Sequence, residues 1–248
     1  MTCESEAWKS APVGLALSPD RIDIWRVCLD PGELPPHDLI LSRDEAARAS
    51  RLHFEHDRRR FVNCRTTLRI ILGRYLDTHP AEVRFQYEKN GKPELASSQN
   101  SCDLRFNVSH SGEWALIAIT SGRALGVDIE KVRPMSNHLE IAGRFFSARE
   151  LEEILAVSEP RRQDAFFACW TRKEAFLKAI GAGLSYPLSK FSVSVDPDEP
   201  AGLGQVGDGI QTDSRWHLAD LRPAEGYRGA LAWEGVCCRL DHWTFDPP

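Results

Sequence analysis

The stretch FNVSHSGEWALIAITSGRALGVDIE, Phe106 to Glu130, decides the fold class. It is rich in short apolar runs, carries a Ser121-Gly122 turn signal, and reads as two or three strands. In its last five residues, GVDIE, Asp128 and Glu130 stand two apart. On a strand that spacing sends both carboxylates out of one face while Val127 and Ile129 enter the core.

Upstream, RIDIWRVCL (Arg21 to Leu29) alternates as a strand does, and PGELPP ends it. From Ser42 to Leu76 the period becomes helical, as two helices broken near His56 and Asp57, with Phe61, Leu68, Ile71 and Leu72 on one side. VRFQYEKNGKPEL follows as strand, turn and extended segment. Downstream, a helical stretch opens at Asn137, and FFSARELEEIL begins another helix with Ser147 and Glu150 as a capping box. The longest helix runs from about Arg161 to Ile180, with Gly181 as its stop. SKFSVSVD and the segments around Trp216 and Leu231 read as strands. Strand, helix and strand recur in each half, so the class is α+β with two lobes, residues 1–122 and 123–248, joined near Arg123.

The 248 residues suffice for one large domain or two of roughly 100 to 130 residues. No segment approaches the run of about 20 apolar residues that spans a bilayer, and the N-terminus MTCESEAWKS lacks the pattern of a secretory signal. A cytoplasmic protein with no membrane partner is expected. None of the seven cysteines forms a C-x-x-C pair, so reduced thiols are expected rather than a zinc or redox site, with the vicinal Cys237 and Cys238 inside a strand. The net charge of −5 argues against nucleic acid as a general partner, although arginines concentrate between Arg43 and Arg74.

Three clusters carry chemistry. Asp128 and Glu130 repel each other on one face; a hard cation such as Mg²⁺ relieves that repulsion, and so does plain solvation of an exposed strand. CWTRKEAFLKAIGAG places Trp170, Glu174 and Lys178 at successive i, i+4 positions of one helix, a pattern that also fits a surface Glu-Lys pair. NVSHS supplies Ser109 and His110 after Lys92-Pro93 and the Arg48, Arg51 and Arg60 region, all apt partners for phosphate oxygens or, equally, ordinary structural and surface residues. GLGQVG, Gly202 to Gly207, matches a dinucleotide-loop pattern, but no apolar strand precedes it and no helix pattern follows, so a loop is expected.

The ordered set GKP, NVSHS, GVDIEKVRP, RFFSARE, WTRKEAFLKAIGAGL and KFSVSV resembles the Sfp-type 4′-phosphopantetheinyl transferases over roughly Arg43 to Val195. The resemblance implies two pseudo-symmetric α+β lobes with coenzyme A in the cleft between them. It implies that Asp128, Glu130 and Glu174 hold Mg²⁺ against the pyrophosphate, and that Lys178 contacts the same group. Lys92 and His110 match nucleotide and phosphate contacts, with Ser109 and Arg48 as partners of the 3′-phosphate. Near Glu45, where the family can carry a lysine, this chain has an acid, leaving Arg43 or Arg48 to supply the charge. The implied reaction moves the phosphopantetheine arm onto a serine of an acyl, peptidyl or aryl carrier protein, with Glu174 as the candidate base and a monomer as the working form. The arginines of residues 43–69 and the apolar Phe145 and Phe146 are candidate docking residues for the carrier. Rival readings are a Mg²⁺-dependent phosphohydrolase or nucleotidyl transferase, and a non-catalytic coenzyme A-binding module.

Overall fold

The computed structural model describes residues 7–12, 14–30, 34, 36–87, 91–183, 186–207 and 215–247. Cys3, most of PGELPP, the turn expected at 88–90, the end of the GAGL motif and the DGIQTD segment lie outside the described residues. Among those described, no helix is long and apolar enough to cross a membrane.

The fold is α+β. One sheet has the order β1-β12-β2-β6-β5, built from Lys9–Ser10 (β1), Arg21–Cys28 (β2), Leu104–Ser111 (β5), Trp114–Ser121 (β6) and Arg239–Thr244 (β12). A second has the order β10-β11-β7, from Leu125–Lys131 (β7), Trp216–Leu221 (β10) and Tyr227–Glu234 (β11). Two short hairpins complete the strands, Phe85–Tyr87 (β3) with Pro93–Leu95 (β4), and Phe191–Val193 (β8) with Leu203–Val206 (β9). Five helices are described: Arg43–Ser50 (α1), Glu55–Leu76 (α2), His138–Phe145 (α3), Ala148–Ala156 (α4) and Glu159–Ala179 (α5).

Alternation along β6 explains the layering. Ala115, Ile117 and Ile119 pack with Leu68, Ile71 and Leu72 of α2, whereas Leu116 and Ala118 face a second core with Val127, Ile129 and Leu231 of the other sheet. The far face of that sheet, through Ala230 and Ala232, packs with Phe176 and Leu177 of α5. Each sheet therefore has a long helix on one face and its partner sheet's apolar residues on the other. β12, which a division at 122/123 assigns to the second lobe, instead runs parallel to β2 in the first sheet. A strand at the rim of a sheet is placed by whichever free edge accepts its backbone, and sequence order does not specify that edge.

Other departures from expectation have local causes. The break between α1 and α2 falls at 51–54, before His56 and Asp57, because Glu55 and Asp57 occupy the first turn of α2, where the helix dipole favours acids. GLGQVG contains strand β9 and is not a loop: Gly204 lies so close to Ser192 of β8 that an added Cβ would stand 2.4 Å from its Oγ. Cys237 and Cys238 precede β12 and lie outside any strand, the first exposed and the second half-buried. Phe146 is core, stacked on Phe166, so of the two phenylalanines only Phe145 presents a surface.

Gly126 sets how closely α5 approaches β7. A Cβ there would come within 2.2 Å of the Ala175 carbonyl oxygen and 2.4 Å of the Ala179 nitrogen. Only glycine permits this contact, which brings the helix bearing Glu174 and Lys178 down onto the strand bearing Asp128 and Glu130.

Candidate functional site

β7 delivers Asp128 and Glu130 to the face covered by α5, while Val127 and Ile129 are fully buried on the other. α5 delivers Glu174 and Lys178, one turn apart, to the same place. Lys178 Nζ lies 2.7 Å from Asp128 Oδ1 and 2.9 Å from Ser109 Oγ, and donates to the Val127 carbonyl at 3.2 Å. Ser109 donates to Asp128 Oδ1 at 2.9 Å. This serine is thus engaged with the acid and the lysine. The Lys92 ammonium reaches the end of α5 and donates to the Lys178 carbonyl at 3.0 Å.

Burial, and after it the crowding of acids, governs the electrostatics. Glu174 is 8% exposed; burial first, then the Asp128 and Glu130 charges, push its carboxyl up to about 7, against the opposing pull of Lys178. Burial and then Asp128 raise Glu130 as well. Asp128 Oδ2 and Glu174 Oε1 are buried with no hydrogen-bond partner among the described residues. Buried carboxylate oxygens without partners are costly, and a bound cation is one remedy. Among the described residues no three histidine, cysteine or acidic side chains are close enough to cage a metal unaided. An open Mg²⁺ site, whose shell is completed by water and substrate phosphate, does not require such a cage.

Beside the acids opens a cavity of about 290 Å³ lined by Arg48, Arg65, Lys92, His110 and Lys178. The cavity is a concentration of positive charge. His110 is exposed to it, yet desolvation by the surrounding walls first, then Lys178, Arg65 and Arg48, holds its imidazole below the ordinary value. Arg48 and Arg65 both lie over the Phe61 ring, at 5.5 and 5.6 Å. Arg65 was not singled out by the sequence reading, although it is buried and its Nη1 has no hydrogen-bond partner among the described residues. Its sequence signal is faint, one arginine in an arginine-rich helix.

One candidate contributor, Arg60, and the departure at Glu45 are both accounted for elsewhere in the fold. Arg60 pairs with Asp30 and Glu113, at 3.1 and 3.0 Å, away from the cavity. Glu45 is 1% exposed; it caps α1 through Ser42 and pairs with Arg69 at 2.7 Å, so the acid near this position is a structural member of the core. A larger cavity, about 390 Å³, shares Lys92; neither cavity is lined by the three acids, but only the smaller one is lined by Lys178, the partner of Asp128. Its arginines are already engaged, Arg105 with Asp103 and Glu94, and Arg123 with the Pro19 and Val236 carbonyls.

Comparison with known proteins identifies the family. The profile described as the 4′-phosphopantetheinyl transferase superfamily matches residues 124–232, and that described as 4′-phosphopantetheinyl transferase, N-terminal, matches residues 37–122. The chain is 39% identical to the 4′-phosphopantetheinyl transferase HetI of Nostoc sp. over 96% of its own length and 98% of the relative's. It is 35% identical to the 4′-phosphopantetheinyl transferase Sfp of Bacillus subtilis, covering 77% of this chain and 81% of that protein. The chain therefore belongs to the 4′-phosphopantetheinyl transferase superfamily, enzymes that move the phosphopantetheine arm of coenzyme A onto an apo carrier protein.

Proposed function

We propose that Asp128, Glu130 and Glu174 form an open Mg²⁺ site that receives the pyrophosphate of coenzyme A, with the cation-lined cavity taking the nucleotide end. The observation that carries this reading is the pair of buried, unpartnered oxygens, Asp128 Oδ2 and Glu174 Oε1, next to Lys178, which pairs with Asp128 and lines that cavity. When bound, the metal supplies neutralisation of charge on the pyrophosphate. Lys178 holds Asp128 in place and offers fixed positive charge to the same group. Arg48, Arg65 and Lys92 meet the 3′-phosphate and nucleotide, His110 donates a ring N–H to a phosphate oxygen, and Ser109 serves by fixing Asp128 and Lys178.

The acceptor is a serine hydroxyl of an acyl, peptidyl or aryl carrier protein. Its oxygen attacks the β-phosphorus, the bond to the departing adenosine 3′,5′-bisphosphate breaks, and the arm remains on the serine. Glu174, placed among the acids at the metal site, takes the hydroxyl proton as general base. All these groups come from one chain, which fits a monomer, and the two lobes divided near Arg123 each supply one wall. We place the reaction in the cytoplasm. Carrier proteins are acidic, so the exposed arginines of α1 and Phe145 are the surface offered to them.

The test incubates the purified protein with coenzyme A, Mg²⁺ and apo carrier proteins, then measures the carrier's mass. The expected result is gain of one phosphopantetheine arm, lost on chelation of the metal. Turnover of coenzyme A without any carrier would favour a phosphohydrolase, and no gain across acyl, peptidyl and aryl carriers would refute the transfer reading. In the same assay Arg65→Ala should raise KM for coenzyme A by about 10-fold or more, the loss of a charge-assisted hydrogen bond, and should affect dephospho-coenzyme A less.

A further inference from the structure

The first sheet ends on β5 and the second on β7, and no backbone ladder joins these strands. Three residues at alternate positions of β5 bridge them instead. Asn107 Oδ1 accepts the Val127 N–H at 2.8 Å, Ser109 Oγ donates to Asp128 Oδ1 at 2.9 Å, and Ser111 Oγ engages Glu130 and Lys131. The spacing of two puts all three on the same face of the strand. The pattern N-x-S-x-S is thus a row of side chains standing in for a strand pairing, and two of its members touch the acids.

Ser111 is the more telling of those two, because its hydroxyl has only one way to point. It accepts the Lys131 backbone N–H at 3.1 Å, and its single proton goes to Glu130 Oε2 at 2.9 Å. The turn that carries it is itself clamped. Gly112 has φ +55°, and an added Cβ there would stand 2.5 Å from Tyr227 Oη. Next along, the Glu113 N–H donates to Tyr227 Oη at 3.1 Å, and the Glu113 carboxylate takes hydrogen bonds from Tyr227, Lys131 Nζ and Arg60. Two strands and a helix therefore converge on the turn and fix where the Ser111 oxygen sits.

Resting on the Mg²⁺ reading above, we infer that Ser111 is a positioning residue: its hydroxyl, aimed by the Lys131 N–H, sets the orientation in which Glu130 meets the divalent cation. Partners of this kind, one step removed from a metal, typically change metal affinity 10–100-fold when removed.

The experiment compares Ser111→Val with Ser111→Thr, side chains of closely similar shape of which only threonine keeps the hydroxyl, with the unfolding midpoint of each recorded. Mn²⁺ binding to the full chain in the presence of coenzyme A is followed by electron paramagnetic resonance, alongside the Mg²⁺ activation curve for transfer. The valine variant should bind Mn²⁺ about 10–100-fold more weakly than the threonine variant, and threonine should remain within about threefold of wild type. Excess Mg²⁺ should return most of the valine variant's kcat. Equal Mn²⁺ affinity in the two variants, whether high or low, overturns the role of the hydroxyl while leaving the metal site standing. Absence of Mn²⁺ binding by the wild type with coenzyme A overturns the metal reading and this inference together.

Discussion

Glu174→Gln is expected to lose transfer activity and, in the metal-free enzyme, to gain stability at pH 8. The activity loss follows from its two proposed duties, and removing a positioned base alone costs about 10²–10⁴ in rate. The stability gain follows from burial. In the unfolded chain this carboxyl has its ordinary value of 4.5; in the fold, desolvation and then Asp128 hold it at about 7. The folded state thus binds the proton more tightly, so this group's contribution to stability is intact below pH 4.5 and declines as pH rises toward 7. Above that window the fold carries the cost of an ionised buried acid, at most about 3 kcal/mol. Glutamine cannot ionise, so its advantage over wild type should open across this window and stay level at higher pH. Denaturant unfolding from pH 4 to 8, with EDTA present, checks the sign. A variant that transfers normally, or whose advantage is the same at pH 4 and pH 8, contradicts the assignment.

The residue before it in sequence has the opposite character. Lys173→Met is expected to cost about 3–5 kcal/mol of stability, because it breaks one side of a fully buried ion pair. Lys173 Nζ lies 2.6 and 2.8 Å from the two Glu150 oxygens and 2.6 Å from the Phe191 carbonyl, and both side chains are fully buried. The ammonium also sits 4.2 Å from the Phe191 ring centroid. Glu150 in turn accepts from the Ser147 and Val193 N–H groups, so this pair ties α4, α5 and β8 into one unit. Without the lysine, the carboxylate is left charged and buried. Urea unfolding should show the loss, whereas well below the shifted midpoint transfer by the folded fraction should persist. The double variant Lys173→Met with Glu150→Gln should be less destabilised than the two single losses summed, since the second change removes the stranded charge. A loss below about 1 kcal/mol would mean the pair is not buried as described.

This ion pair has a counterpart in the first half of the chain. Ser42 and Glu45 cap α1 as Ser147 and Glu150 cap α4, and Glu45 pairs with Arg69 of α2 as Glu150 pairs with Lys173 of α5. The second capping box was legible as Ser-x-x-Glu before an apolar run. The burial of both glutamates was not, because a capping acid at a helix start is ordinarily solvated and nothing local reveals what packs over it. The acid at position 45 is therefore explained by Arg69 rather than by any ligand.

What the sequence determined by itself were the properties that depend on near neighbours in the chain. Period-two alternation at 126–130 put Asp128 and Glu130 on one face, and helical period put Glu174 and Lys178 on another, since strand and helix geometry follow from local spacing. The ordered motifs then pointed to the family. Only the tertiary structure brought the two faces together, through an approach that Gly126 alone permits, and only it exposed the unpartnered oxygens and the raised Glu174. It also drew Arg65 into the cavity, turned Arg60 away and returned β12 to the first sheet. Desolvation and charge repulsion are sums over atoms close in space and remote in sequence, so they come into being only when the chain has folded.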